Sequence, residues 1–312
     1  MTDGGKALER MLTLRALPAF KGLAESDLAS VAAQAQERSV AAGTVLLREG
    51  DRMTRTVVVV SGRVRIERDG NIVARSDRRV GVGILGMVAD MRAESTVVAD
   101  TASRLLVLER DRVLDLMEDD FAVLAHVLQF IAGEIITTYE RLDVDYQAPE
   151  KFWPIPAHLQ VEGRDLDLVE RILAIRQVPA FGRSSLDSVA RYARLLQEVH
   201  MPAGAQLWGE GDPCRTYLHV VQGELEGVRD QGRGLLHYGP PSMPGLFGVL
   251  SGRERRWYTA TAKTPIVALQ VDRELILDLL EDDYEMAAFC LKLSARRLIR
   301  FLALRDQPAG SA

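Results

Sequence analysis

The sequence predicts an α+β protein: two tandem β-roll domains of jelly-roll type, each flanked by N- and C-terminal helices. Two features of the 312-residue chain predict it. The first is internal repetition. LERMLTLRALPAF at 8–20 returns as VERILAIRQVPAF at 169–181, 161 residues later. The same offset joins Ala42-Gly43 to Ala203-Gly204, Glu49-Gly50-Asp51 to Glu210-Gly211-Asp212, and Ser61-Gly62 to Gln222-Gly223. By Thr96 and Thr259 it has grown to 163, and it holds there through Ala99 and Ala262 and through 118–120 and 281–283. So long a unit is no solenoid repeat and reads as a duplicated globular domain. The second feature is texture. Each copy carries several short β-branched runs at regular spacing, which belong to a sandwich or barrel.

The elements of the first copy follow in order. Residues 8–17 form an amphipathic helix that must stop at Pro18, because proline disfavours helical angles in the residue before it. Ser26-Asp27 opens a second helix through about Ala35, with Leu28, Val31 and Ala32 on one face. Residues 44–47 are a strand broken by Gly50-Asp51. Residues 57–60 are a continuous apolar strand ending at Gly62. Residues 64–67 alternate, with one face in the core and one in water. Asp69-Gly70 is a hairpin turn, and 72–74 return from it. Residues 96–98 and 105–108 are closing strands. Asp119-Asp120 and Asp282-Asp283 read as helix N-caps rather than paired catalytic carboxylates. The helix over 121–142 carries an apolar stripe of Leu124, Leu128, Ile131, Ile135 and Leu142. That stripe either packs on its own roll or forms a two-helix seam with another copy, and a homodimer through helix 121–142 is one outcome. The second copy closes over 284–305 with basic last turns, SARRLIRFLALR, which suit a helix C-terminus and a solvated face.

These boundaries give a first domain over 1–142, a proline-rich linker over 143–165, a second domain over 166–305 and a tail over 306–312. Pro149, Pro154 and Pro156 keep the linker extended. Phe152 and Trp153 are expected to dock on a neighbouring domain and hold the copies in a fixed relation.

Between the hairpin and the closing strands, each copy holds a cassette: GILGMVADMRAESTVVA at 83–99 and GLFGVLSGRERRWYTATA at 245–262. Two glycines three residues apart favour a tight turn into a short helix. The first N–H groups of such a helix face open space, and an arginine further on can clamp an anion there. The alternative is a short surface helix with solvated arginines.

Composition narrows the function. The net charge of −5 argues against sequence-independent nucleic-acid binding. Cys214 and Cys290 show no disulfide framework, which fits a reducing, cytoplasmic setting. The N-terminus lacks the apolar core of a signal peptide, and no apolar run reaches the ~20 residues of a bilayer span. The five histidines show no metal-ligand spacing, and no nucleophile elbow or P-loop occurs. No catalytic residue, metal or resident cofactor is expected.

The order helix, β-roll with an EGD turn, glycine-bearing cassette and long closing helices resembles the cyclic-nucleotide-binding domain family. Gly43, Gly50, Gly62 and 96–99 carry the resemblance, with Gly204, Gly211, Gly223 and 259–262 in the second copy. In that family a cassette glutamate accepts a hydrogen bond from the ribose hydroxyl, and an arginine followed by a small residue pairs with the cyclic phosphate. Here the glutamate position holds Ile84 and Leu246, which leave a buried hydroxyl unsatisfied at a cost of about 1–3 kcal/mol. The arginine position holds Ala93, with Arg92 one residue off, in the first copy, and Arg256 in the second. Trp257 and Tyr258 follow Arg256, and their rings either fill the purine-ribose space or stack on a base.

The resemblance therefore implies a degenerate first site (Gly83, Arg92, Thr96) and a second site of Gly245, Arg253, Arg255, Arg256 and Thr259. The functional expectation is a non-catalytic regulatory protein that acts through a protein partner, with neither nucleic acid nor membrane involved. No helix-turn-helix output is expected after the second copy. The alternatives are a cAMP or cGMP receptor working through the second copy, or a sensor of another anionic ligand there.

Overall fold

A computed structural model describes residues 3–77, 81–141, 146–147, 163–229 and 233–305. The chain forms two compact units: residues 1–131 with 291–304, and residues 132–290 with 305–312. Phe152, Trp153 and most of the linker lie outside the described residues, as does the tail.

The first unit opens with α1 (Asp3–Arg15) and a 3₁₀ turn (Pro18–Phe20). Leu17 is extended at φ −82°, so Pro18 ends the helix as its ring geometry requires. The second helix, α2 (Glu25–Gln34), starts one residue before Ser26. Ser26 Oγ donates to Asp27 Oδ1 rather than capping the helix. Strands β1 (Gln36–Val40), β2 (Val45–Leu47), β3 (Arg55–Ser61), β4 (Arg63–Arg68), β5 (Asn71–Asp77) and β6 (Gly81–Val82) follow. Asp69 and Gly70 both have positive φ, the geometry a two-residue hairpin demands. Next come the short cassette helix α3 (Ile84–Val88), β7 (Thr96–Ala99), β8 (Ser103–Glu109), α4 (Arg110–Asp119) and α5 (Phe121–Arg141). The two sheets run β1-β8-β3-β6 and β2-β7-β4-β5. Leu46, Val57, Val59, Val64, Val97 and Leu105 form a buried core cluster.

The second unit repeats this plan. After β9 (Tyr146–Gln147) come α6 (Leu168–Arg176), α7 (Leu186–Leu195), β10 (Gln197–Met201), β11 (Gln206–Trp208), β12 (Thr216–Gln222), β13 (Leu225–Arg229) and β14 (Arg233–Tyr238). They are followed by α8 (Leu246–Leu250), β15 (Thr259–Ala262), β16 (Ile266–Asp272), α9 (Arg273–Asp282) and α10 (Tyr284–Arg305). The sheets run β10-β16-β12 and β11-β15-β13-β14-β9. Unlike the aliphatic core cluster of the first unit, this interior holds a polar knot. Tyr192 and Tyr217 hydroxyls are 2.9 Å apart, and each lies 3.4 Å from His219 Nε2.

Strands β1 and β10 were not foreseen from their sequences. QERSV is mostly exposed and carries neither apolar alternation nor a β-branched run. The expected caps hold at the second aspartate of each pair: Asp120 Oδ1 accepts from Ala122 N–H at 3.1 Å and Asp283 Oδ1 from Met286 N–H at 3.0 Å. Leu124, Leu128, Ile131 and Ile135 are buried within the single chain. These four side chains are thus already covered and offer a second chain no free apolar face. Leu142 lies outside the described residues. Helix α5 also has the length and hydropathy of a membrane span. Its buried side chains belong to the cores of the units.

The basic end of α10 is engaged, not simply solvated. Within the first unit Lys292 Nζ donates to Asp90 Oδ2 at 2.9 Å, and Arg296 Nε donates to Ala89 O at 2.9 Å. Asp90 also accepts from Arg52 at 2.9 Å. The hydrogen bonds from Lys292 and then Arg52, with the field of Arg110, hold its carboxyl far below the usual range. Removing the carboxylate leaves these cations unmatched. Asp90→Asn should lower stability by about 1–3 kcal/mol and speed amide exchange over 291–304. Because the folded carboxyl is depressed, its contribution is present above about pH 4 and is lost as pH falls further. Acid titration of both proteins by circular dichroism checks the sign: the variant should lose that part of the low-pH decline.

Candidate functional site

The two cassettes match in backbone hydrogen bonding, which fixes the alignment of their residues. Gly50 N–H donates to Ala93 O at 2.8 Å, and Gly211 N–H donates to Arg256 O at 2.9 Å. Ala93 N–H donates to Asp51 O at 2.8 Å, and Arg256 N–H donates to Asp212 O at 2.7 Å. Ala93 and Arg256 therefore hold one position. Arg92 and Arg255 hold another: Arg92 Nη1 donates to Gly50 O and Arg255 Nη1 donates to Gly211 O, each at 2.8 Å. Thr96 Oγ1 accepts from Glu49 N–H at 3.0 Å and Thr259 Oγ1 from Glu210 N–H at 2.9 Å. Both threonines thus pin the EGD turn. Gly83 and Gly245 N-cap α3 and α8 at φ 91° and 90°, an angle that side chains resist.

The family model for the cyclic nucleotide-binding domain matches residues 37–120 and 198–283, together more than half of the chain. The chain belongs to this family. Among solved structures it is similar to the regulatory domain of Toxoplasma gondii PKA with cAMP, at 18% identity over 90% of this chain and 96% of that one, TM-score 0.37. It is also similar to the regulatory subunit of a cAMP-independent protein kinase A from Trypanosoma brucei, at 15% identity over 99% and 92%, TM-score 0.36. A third is the N-terminal domain of a transcriptional regulator from Streptomyces coelicolor, at 27% identity over 42% and 96%, TM-score 0.40. At these scores the likenesses carry no argument of their own. No curated protein matches the sequence.

In the first cyclic nucleotide-binding domain, apolar side chains surround the cassette. A Cβ built on Gly83 would lie 2.5 Å from Met53 Cε and 3.3 Å from Leu47 Cδ1. Ala93 is buried at the arginine position, and Arg92 turns away to the Gly50 carbonyl. Of the residues expected at this site, Arg92 and Thr96 are engaged with the EGD turn, and Gly83 caps α3.

The second domain brings Gly245 and Arg256 together. A Cβ on Gly245 would meet Arg256 Nη1 at 2.7 Å. The Arg256 side chain is buried, its Nη2 donates to Thr216 Oγ1 at 3.0 Å, and its guanidinium lies 4.0 Å from the Trp208 ring centroid. Its Nε and Nη1 have no acceptor among the described residues. A desolvated cation–π contact is worth about 2 kcal/mol, less than the several kcal/mol needed to bury an unpaired charge. Arg253 is directed elsewhere, to Glu140 at 2.6 Å, and Arg255 holds the Gly211 carbonyl.

Aromatic rings cluster beside Arg256. Tyr258 is 1% exposed, stacks on Tyr238 at 6.0 Å, and meets Trp208 and Trp257 edge-on at 5.6 and 4.7 Å. Room for it comes from Gly227, where a Cβ would lie 2.8 Å from Tyr258 Cδ2. The matching residues of the first domain are Ile66 and Ser95, so bulk has moved from one strand to its neighbour. Trp257 is only half-buried and packs edge-on against Tyr139 at 5.3 Å. Tyr258 is thus packed on three sides by other rings of the second unit. Sequence reasoning missed Trp208 and Thr216, whose only signal was their place in the repeat opposite Leu47 and Arg55.

Asp165, Glu198 and His200 converge, with ligand atoms within 4.8 Å of one another. Spacing alone could not show this, since Asp165 comes from the segment before α6. Glu198 is already engaged, accepting from Leu166 N–H and Arg171 at 3.0 Å and from His200 at 2.8 Å. A metal would have to displace those bonds.

Proposed function

We propose that this protein is a non-catalytic, cytoplasmic regulatory protein whose tandem cyclic nucleotide-binding domains have given up the usual ligand and work through contacts with a protein partner. The observation that supports the reading is the burial of Tyr258, two residues after Arg256, together with the burial of Arg256 against the Trp208 ring. The apolar surround of Gly83 supports the same reading for the first domain. A protein partner, rather than nucleic acid, suits the net charge of −5. The burial of the α5 stripe supports a contact other than a homodimer through that helix, and a role away from the membrane.

A second reading is favoured by one feature: the unpaired Nε and Nη1 of Arg256 would suit an anionic ligand, a cyclic nucleotide or another, in the second domain. Calorimetry with cAMP, cGMP and cyclic dinucleotides separates the two. The expected result is no binding heat for any of them, together with a stable protein partner co-purifying from the native host. Tight binding that vanishes in Arg256→Ala would overturn the first reading.

A further inference from the structure

We propose that the cleft beside Gly252 in the second unit is a socket for an acidic side chain of the partner protein. This deepens the protein-contact reading and rests on it. The argument compares the two copies. In the first, the turn after α3 places Asp90 at φ 53°, and its carboxylate is ringed by Lys292 and Arg52, each at 2.9 Å, and Arg110 at 3.9 Å. In the second, the matching turn places Gly252 at φ 72°, so the internal carboxylate is gone.

The cations remain. Arg273 takes the place of Arg110: Arg110 N–H donates to Thr54 O at 2.7 Å, and Arg273 N–H donates to Arg215 O at 3.0 Å. An open cleft of about 690 Å³ lies here, lined by Arg215, Arg253, Arg255 and Arg273, with Cys214 in its wall. Arg253 is matched by Glu140, and Arg255 holds only a carbonyl. Among the described residues, the side chains of Arg215 and Arg273 have no acceptor. Burial pushes the Cys214 thiol up, and the charges of Arg256, Arg253 and Arg273 partly oppose it. Helix α9, ten residues long, begins in the same wall, and its N-cap Asp272 makes no side-chain cap bond. Its first N–H groups add to the attraction for an anion.

Glu254, Asp272 and Glu274 are exposed parts of the same lining and repel a densely acidic segment. The occupant is therefore one or two carboxylates between neutral residues, seated where Asp90 sits in the first copy.

The test uses the full chain and a fluorescein-labelled, end-capped hexapeptide with two adjacent glutamates between neutral residues. Its diglutamine version is the control, and the readout is anisotropy at low salt. The expected result is saturable binding of the glutamate peptide alone, weakened at least fivefold in Arg273→Gln and abolished in Gly252→Asp. The second variant restores a carboxylate in the chain itself and should also raise Tm, so it reads out even if Arg273→Gln folds poorly. No binding, equal binding by both variants, or displacement by inorganic phosphate at the same concentration would overturn the proposal. Loss of the peptide signal with cyclic nucleotides still silent would sink the socket and leave the regulatory reading standing. Arg256-dependent cAMP binding would sink the regulatory reading, whatever the cleft variants do.

Discussion

Tyr258→Ala should destabilise the second unit by about 3–5 kcal/mol, as truncations of large buried rings do. Tyr258 touches Trp208, Trp257 and Tyr238, and the strand facing it offers Gly227, which has no side chain to swing into the gap. The cavity cannot collapse easily, so the loss belongs at the upper end of that range. It also strips cover from Trp208, the ring that carries the Arg256 guanidinium. Urea unfolding followed by tryptophan fluorescence measures the change. A loss below about 1 kcal/mol would mean that the ring is not a filler and would reopen the second domain to a nucleotide. Ser95→Ala, at the matching position of the first unit, should change stability by less than about 0.5 kcal/mol.

The second large effect is on pH. His219 is fully enclosed with Tyr192, Tyr217 and Phe181, and burial pushes its pKa down to about 3. Its Nδ1 has no partner among the described residues, so a proton there would find no acceptor. Below pH 6.5 the unfolded chain binds a proton at this position that the folded chain refuses. Stability therefore falls as pH drops from 6.5 toward 3, by up to about 4 kcal/mol from this group. His126, also lowered by burial, acts in the same direction. Depressed carboxylates such as Asp90 begin to act only below about pH 4. His219→Phe keeps a ring of similar size and removes the titration. Between pH 6.5 and 4.5 its unfolding free energy should fall less steeply than that of the native protein. Equal slopes would show that the histidine is protonated in the folded state.

Much of this architecture is legible because turns need particular residues. Gly50, Gly62, Gly83 and their partners Gly211, Gly223 and Gly245 all have positive φ. Their order, seen twice, gives the roll without knowledge of any contact. What escapes is whatever depends on pairing across long stretches of chain. β1 is a strand only because β8 hydrogen-bonds it, and its own residues are polar. The cassette arginine was found by its offset, but its burial depends on Trp208, 48 residues before it in the chain. The role of Asp90 lay further out of reach. It is an ordinary aspartate in a loop until Lys292, some 200 residues on, is placed beside it. The basic run ending α10 reads locally as solvated surface for the same reason.

The composition of the two units bears on how the duplicated gene can change. Residues 291–304 belong to the first unit, and residues 132–141 belong to the second. Leu298 and Phe301 are buried, as are Ile135 and Ile136. A cleavage or recombination breakpoint between the repeats would thus yield two fragments, each missing part of its own interior. Once that interdependence arose, neither copy could be shed, transplanted or inherited alone. Both would be retained for folding, whatever became of their ligand sites.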